Sequence, residues 1–411
     1  MSLINRLPPE LLAEIFERTI PAFSSDSLTD SWEAPWIIGQ VSSFWRRLVL
    51  SLPYVWSSIS VNTYRKHTIP KLKVALARSR AAPLTIYLFL SQRMTEVYRL
   101  LCNERRRWKS IDITLQGSSR VTAQQFHPLL ASGADCPILE SFHLAMNVNL
   151  PERFLDRAPM LHDVRLAMGR SPLQTNALPW SRLTNFITTF LTVEQLFVIL
   201  REAPQLDTLK VYGYRKTNVT SPLVLVHASL ATFLIPDISP FPFFTLPALT
   251  DLYVRYPTDR NDADIFSAFV SRSDCPLESL RLSFDTFTVY LVDTIASLRT
   301  LQKLHITFFN GNITPLLFAL STPRLILPSL QVLELNQTHR TFAPLCLRDV
   351  VDLISCRREH TPLQCVMMES NLILPIRPQE QAPFLATLRE IQRGGLVIEI
   401  LNKGKDILSS L

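Results

Sequence analysis

The chain has 411 residues, of which 47% are hydrophobic and 19% are charged, and this balance excludes a disordered protein. Glycine is scarce, with 9 residues against 29 prolines. The sequence contains neither G-x-G-x-x-G nor G-x-x-x-x-G-K-[ST], the loops with which many enzymes hold phosphate groups. Nucleotide chemistry of the usual kind is therefore not indicated.

The formal net charge of +7 is concentrated in one short part of the chain. Residues 61–110 contain twelve lysines and arginines against two acids, a local charge of +10, whereas residues 1–60 carry four arginines against six acids. Such a basic window can attract an acidic protein surface, an anionic lipid or a nucleic acid. It also fits the solvated outer faces of two helices, and no aromatic–glycine signature of nucleic-acid binding accompanies it.

Nothing in the sequence predicts export or a membrane span. The apolar stretch near the N-terminus is broken at once by Asn5, Arg6 and two prolines, unlike a signal peptide. No stretch of about 20 predominantly apolar residues occurs. The six cysteines lie far apart without a C-x-x-C pair, as is typical of small buried side chains in a reducing compartment. We therefore expect a protein of the cytoplasm, the nucleus or both.

Residues 1–56 predict a small helical module. Leu7–Phe16 has two prolines near a helix start and then apolar residues three and four apart. A polar loop at 24–31 separates it from a second amphipathic run, Trp36–Leu50. A unit of this size is too small to be stable alone, so it must pack on the rest of the chain, on a partner or on both.

Residues 57–411 contain a repeated strand-like unit of the form L-x-x-L-x-L, as in Leu330–Leu335 (LQVLEL). If the middle apolar residue is taken as an anchor, fourteen units follow one another at a mean spacing of about 26 residues. The anchors are Ile59, Ile86, Ile111, Phe142, Val164, Phe186, Leu209, Phe233, Leu252, Leu280, Leu304, Leu333, Val366 and Val397.

Segments with apolar residues at helical spacing lie between the strand-like units. The clearest are Ile69–Arg80, Met94–Arg106, Val193–Glu202, Asp262–Ser273, Val289–Leu298, Leu347–Arg357 and Phe384–Arg393. One strand and one helix cannot bury their own apolar faces, but a stack of such pairs forms a continuous core. The predicted fold class is therefore an α/β solenoid of about fourteen strand–helix units, with parallel strands on a concave face and helices outside.

One position in each unit is predicted to lie on the exposed face of the sheet, between the last two leucines. From His143 to His305 these positions are largely basic or aromatic, and arginine and tyrosine are enriched at interface hot spots. Arginine also bonds strongly to carboxylate and phosphate, so we expect an acidic or phosphorylated target; an ordinary solvated face is the alternative. The candidate target-binding residues are Arg165, Lys210, Tyr253, Arg281 and His305.

The N-terminal module resembles the F-box family, in the form common in mushroom-forming fungi. The resemblance rests on L-P-P-E-L-L-x-x-I-F at 7–16, V-x-x-x-W-R-x-L at 41–48 and L-P-x-V-W-x-x-I at 52–59. Ser42 and Ser43 stand where that family usually has a Cys-Arg pair. The repeats that follow are similar to leucine-rich repeats of an irregular kind, which implies a horseshoe at 57–411 behind an F-box at 1–56.

The resemblance implies a substrate receptor of a cullin-RING (SCF-type) ubiquitin ligase. The module would bind a Skp-type adaptor, and the repeats would bind the protein to be ubiquitinated. By motif position, the adaptor-binding residues would be Leu7, Pro8, Leu11, Ile15, Val41, Trp45 and Leu48. Trp45 and Trp56 also fit the core of the module itself.

No catalytic constellation is recognisable in the sequence. Cys356, His360 and Cys365 match no structural zinc spacing, and no G-x-S-x-G turn occurs. In the F-box family other subunits transfer ubiquitin, so we expect no enzyme, cofactor or metal site. The alternative function is a non-catalytic repeat scaffold whose N-terminal helices only cap the first repeat.

Overall fold

A computed structural model describes residues 4, 7–20, 35–90, 94–115, 135–145, 150–168, 173–215, 224–255, 260–284, 290–308, 314–321, 326–337, 347–370, 378–402, 405–406 and 408. The chain divides into two compact units, Met1–Leu191 and Thr192–Leu411. The loop predicted at 24–31 lies outside the described residues. Within the described ranges, no helix has both the length and the apolar character needed to cross a membrane.

The first unit begins with the helical module. Helix α1 spans Pro9–Arg18, α2 spans Ile38–Val41 and α3 spans Ser43–Ser51, and a 3-10 turn follows at Pro53–Trp56. Helix α1 starts at a proline because a first helical residue has no partner for its N–H, so its loss costs nothing there. The module belongs to the same compact unit as the strands that follow it.

The second predicted run is two helices rather than one. Ser42 has an extended backbone, with φ −157° and ψ 166°, and its side-chain oxygen accepts a 3.1 Å hydrogen bond from the backbone N–H of Trp45. This N-cap satisfies an N–H group that the first turn of a helix would leave unpaired. Ser42 therefore ends α2 and starts α3.

In the rest of the first unit, the described α-helices lie between the first three strands only, and the later described connections contain 3-10 turns at Thr175–Ala177 and Trp180–Arg182 in place of the expected helices. Helix α4 (Thr68–Ser79) follows β1, and α5 (Thr95–Asn103) follows β2. Each strand pairs in parallel with the next, and the order in the sheet is the order in the chain. The strands are β1 (Ser58–Val61), β2 (Leu84–Leu90), β3 (Trp108–Leu115), β4 (Ser141–Ala145), β5 (Asp163–Leu166) and β6 (Asn185–Thr192).

The second unit also consists of parallel strands and helices. Its helices are α6 (Val193–Glu202), α7 (Arg260–Ser273), α8 (Tyr290–Ala296), α9 (Thr314–Ser321), α10 (Leu347–His360) and α11 (Pro378–Arg393). Its parallel strands are β7 (Thr208–Arg215), β9 (Thr232–Ile235), β11 (Asp251–Arg255), β12 (Ser279–Phe284), β13 (Lys303–Phe308), β14 (Val332–Gln337), β15 (Cys365–Ser370) and β16 (Val397–Asn402). Strand β17 (Lys405–Asp406) pairs antiparallel with β16, and β8 (Leu225–Val226) pairs with β10 (Phe244–Thr245).

The strand register confirms all but the last of the fourteen predicted anchors, since neighbouring anchors are paired within each unit. The last anchor is wrong by one residue, because Val366 pairs with Ile398 and not with Val397. Val397 is 57% exposed and Ile398 only 2%. Two adjacent apolar residues make the alternation ambiguous there, and only the pairing resolves it.

Burial alternates along the strands. In β13, Leu304 and Ile306 are buried, whereas Lys303 is exposed and His305 is half-buried. One face of each sheet therefore faces the core and the other faces solvent. The predicted α/β class with parallel strands is confirmed.

Arginines connect successive strand–helix units inside each compact unit. Arg107, in the first unit, donates hydrogen bonds of 3.1 and 3.0 Å to the carbonyl oxygen of Ala82. Arg357, fully buried in the second unit, donates to the carbonyl oxygens of Leu320 at 2.7 Å and Leu327 at 3.0 Å. Each bond joins the arginine to the backbone of an earlier strand–helix unit, and at Leu327 it adds to the 3.2 Å bond that the same carbonyl accepts from the backbone N–H of Leu330.

Candidate functional site

The N-terminal module exposes large apolar side chains. Leu11 and Ile15, on α1, are 47% and 40% exposed, and Val41 at the end of α2 is 59% exposed. Leu12 and Phe16, about 100° further around α1, are buried. Because residues four apart share a face of a helix, α1 has one apolar face in the core and a second one in solvent.

The remaining predicted adaptor-binding residues differ in exposure. Pro8 is exposed, whereas Leu7 and Leu48 are half-buried. Several further apolar residues of the module are exposed, although no defined position of the F-box motifs indicates them. These are Ile4, Ile37, Leu50 and Tyr54.

Trp45 contributes to the interior of the module. Its ring centre lies 4.9 Å from that of the buried Phe16, at an angle of 55°. The side chain is half-buried, so only part of it is available to a partner. Of the two roles that the sequence leaves open for Trp45, contact with the core is the one present in the structure.

A cluster of rings and cations attaches the module to helix α4. The rings of Trp36 and Trp56 meet edge to face at 5.0 Å, and the Arg78 guanidinium lies 4.3 Å from the ring of Trp56 and 5.4 Å from that of Trp36. Lys71 lies 5.5 Å from the ring of Trp36. Cations above aromatic faces are attracted to them, and the indole N–H of Trp56 donates a 2.9 Å bond to the carbonyl of Val49. The module is therefore fixed on the first repeat.

Other basic residues of the 61–110 window form ion pairs. Arg99 pairs with Glu96 at 2.8 Å, Arg106 with Asp135 at 3.0 Å, and Lys109 with a glutamate at 3.6 Å. Arg105 also donates a 2.9 Å bond to the carbonyl of Cys102, and with Arg78, Lys71 and Arg107 at least seven of the window's twelve cations have a local structural partner. The net charge of the window therefore overstates how many of its cations are available to solvate the surface or to bind a ligand.

The predicted outward positions from His143 to His305 are called the stripe, and in the first unit the stripe is part of a network of opposite charges. Nδ1 of His143 lies 3.5 Å from Asp112, and its Nε2 lies 3.2 Å from Asp163. Asp163 also lies 3.4 Å from Arg165 and accepts a 2.7 Å bond from the amide of Asn185. Arg165, a predicted target-binding residue, is thus partly neutralised by its own strand.

The His143 network makes stability depend on pH. Burial lowers the pKa of His143, but the hydrogen bonds to Asp112 and Asp163 outweigh it and the pKa is raised. A raised pKa contributes stability below the unfolded value of about 6.5, and this stability is lost as pH rises through the folded value. We expect His143→Asn to cost about 1.5–3 kcal/mol at pH 5.5 and less at pH 8.5. Urea unfolding at both pH values measures this, with the exposed His162→Asn as the control; an equal cost at both pH values would contradict it.

In the second unit, some basic residues of the stripe have an acidic partner within the described part of the chain and others do not. Lys210 is half-buried, Arg281 is exposed, and the two have no ion-pair partner among the described residues. His305 is hydrogen-bonded to Glu334, which lies on the neighbouring strand, and its Nε2 lies 3.0 Å from Thr307 Oγ1. The stripe therefore offers unpaired positive charge only at β7 and β12.

Lys210 and Arg281 line one depression of about 490 Å³ on the exposed face of the second unit's sheet. Tyr212, Leu234, Asp251 and Tyr253 are among its other lining residues. Three of the five predicted target-binding residues, Lys210, Tyr253 and Arg281, thus lie together. The sequence pattern indicates one outward position per strand and so does not include Tyr212 and Asp251, which occupy the next outward position, two residues away.

The cysteines and histidines form no recognisable reactive centre in the described part of the chain. Burial raises the pKa of Cys102, Cys136 and Cys275 to about 11, so these thiols are protonated at neutral pH. Among the described residues, no three His, Cys, Asp or Glu side chains are grouped so as to hold a metal ion.

Comparison with known proteins found no relative of the chain. None of the protein-family models scanned matches the chain, and none of the curated proteins searched is similar to it.

Proposed function

We propose that the chain is a target-recognition subunit of an SCF-type ubiquitin ligase, an F-box protein with a leucine-rich-repeat domain. Its N-terminal module binds a Skp-type adaptor, which connects it to the cullin-RING core. Its repeats bind a protein target on the exposed face of the sheet. It carries no catalytic residue, because the other subunits transfer ubiquitin, and it acts in the cytoplasm, the nucleus or both.

The observation that carries this proposal is the second apolar face of α1. Leu11 and Ile15 remain in solvent although Leu12 and Phe16 already bury the inner face of the same helix. Covering an apolar side chain of this size contributes about 1.5–3 kcal/mol. Val41, at the end of α2, is a further exposed apolar side chain of the module. Exposed apolar surface of this kind is typical of a site that binds another protein.

A capping role is the alternative. The cluster of Trp36, Trp56 and Arg78 would serve a cap equally well, because it holds the module against the first repeat. A cap, however, needs a polar outer surface, and Leu11, Ile15 and Val41 are apolar there. The exposed side chains therefore favour the adaptor-binding function.

Coexpression tests the proposal. We expect the chain expressed alone to aggregate through its exposed apolar residues, and coexpression with a Skp-type adaptor to raise the soluble yield severalfold. The soluble protein should elute with the adaptor in one peak. Coexpression with an unrelated soluble protein is the control. Equal and monodisperse yield with and without the adaptor, in separate peaks, would argue for the capping role.

A further inference from the structure

The depression in the second unit has an ordered arrangement of charge. Lys210, Leu234, Tyr253 and Arg281 are register partners on four successive strands, β7, β9, β11 and β12. Neighbouring strands lie about 4.8 Å apart, which places the two cations about 14 Å apart at the backbone. Leu234 and Tyr253 lie between them and supply an apolar and aromatic centre.

This spacing matches an extended peptide that crosses the strands. In an extended chain the side chains at i, i+2 and i+4 point to the same side, and they span about 14 Å. The first and last of these side chains would meet Lys210 and Arg281, and the middle one would meet Leu234 and Tyr253. A helix would need about nine residues for the same distance and would turn intermediate side chains away.

Asp251 adds a restriction on the ligand. It lines the same depression, and its carboxylate accepts a 3.1 Å hydrogen bond from the hydroxyl of Thr250. A third anion at the centre of the ligand would be repelled by this carboxylate. The depression therefore fits two separated negative charges and not a continuous acidic run.

We propose that this depression binds an extended target segment in which two anionic side chains, four positions apart, flank an apolar one. The anionic groups are carboxylates or phosphoryl groups, which share the same charge-assisted bonding to lysine and arginine. The proposal rests on the proposed function only in taking the segment to belong to a protein target.

Peptide binding to the full-length chain tests the proposal by fluorescence anisotropy. The probe contains Glu-Ser-Leu-Ser-Glu, and a second peptide carries phosphoserine in place of both glutamates. A peptide of the same composition, Glu-Glu-Leu-Ser-Ser, is the control. We expect the spaced peptide to bind at least about tenfold more tightly than this control. The ratio between the two spaced peptides then distinguishes carboxylate from phosphate recognition.

Variants connect the binding to the depression. Lys210→Gln and Arg281→Gln should each weaken binding of the spaced peptide by about tenfold, since each removes one charge-assisted contact. Lys303→Gln is the matched control, because Lys303 is an exposed cation on the same sheet that does not line the depression. It should leave the affinity unchanged.

Three results would overturn the proposal: equal binding of the control peptide, equal loss in Lys303→Gln, or no binding of any peptide at about 1 mM, where specific association is already weak. The adaptor is not needed in this experiment. Adaptor binding without peptide binding would therefore reject the ligand proposal alone, and the reverse would reject the proposed function alone.

Discussion

Replacing Leu11 and Ile15 together by aspartate is expected to abolish binding of the Skp-type adaptor while the chain stays folded. Each substitution places a carboxylate at a contact that the complex would desolvate, and an unpaired buried charge costs several kcal/mol. The affinity should fall by more than about 100-fold. Both side chains are exposed in the chain itself, so the thermal midpoint should change little. Calorimetric titration gives the affinity, and circular dichroism gives the midpoint.

Two single variants serve as controls for this loss. Met160 in the first unit and Phe318 on α9 are exposed apolar residues outside the module, so Met160→Asp and Phe318→Asp add the same charge elsewhere. Both should bind the adaptor like the unmodified chain. A collapse of the melting transition in the Leu11 and Ile15 variant would instead identify these residues as part of the core, and unchanged affinity would show that α1 does not face the adaptor.

Trp56→Ala is expected to be the most destabilising single change in the module. Trp56 is fully buried, meets Trp36 edge to face, contacts the Arg78 guanidinium through its ring and donates a hydrogen bond to the carbonyl of Val49. Removing a buried tryptophan side chain costs about 3–5 kcal/mol, because the cavity cannot fully collapse. Urea unfolding should show this loss, and the module should become more accessible to proteases.

Substitutions of graded size test the explanation for Trp56. Trp56→Phe keeps an aromatic ring but loses the hydrogen bond to Val49, so it should cost less than Trp56→Ala. Tyr54→Ala, in the same 3-10 turn but at an exposed position, should cost less than about 1 kcal/mol. If Trp56→Ala cost no more than Tyr54→Ala, the cluster would not be what holds the module on the first repeat.

The repeat pattern was predictable because the strand signal is local. A leucine at every inward position of a strand, as in Leu330–Leu335, identifies both the strand and the direction of its side chains. Helix α6 has the predicted bounds, Val193–Glu202, because Thr192 and Gln195 form a capping box at its start. Helix α9, Thr314–Ser321, was not predicted, because its own apolar residues lie on all sides of the helix and do not form a single apolar face.

The functional surfaces were only partly predictable, since they depend on contacts between repeats. The sequence identified Lys210, Tyr253 and Arg281 as one outward column, and the register places them there. It could not show that Asp163 neutralises Arg165 or that Glu334 holds His305, because each pairing depends on the conformations of long side chains. Nor could it divide the apolar residues of α1 between core and solvent, which required the position of α3.

Isothermal titration of the full-length chain with a purified Skp-type adaptor is the most direct test of the proposed function. The proposed function predicts a complex of one chain with one adaptor, with a negative heat-capacity change because apolar side chains such as Leu11, Ile15 and Val41 become buried. The same titration with the Leu11→Asp and Ile15→Asp double variant should give no binding heat. A well-folded chain that binds no adaptor would contradict the account and leave the repeat scaffold as the function.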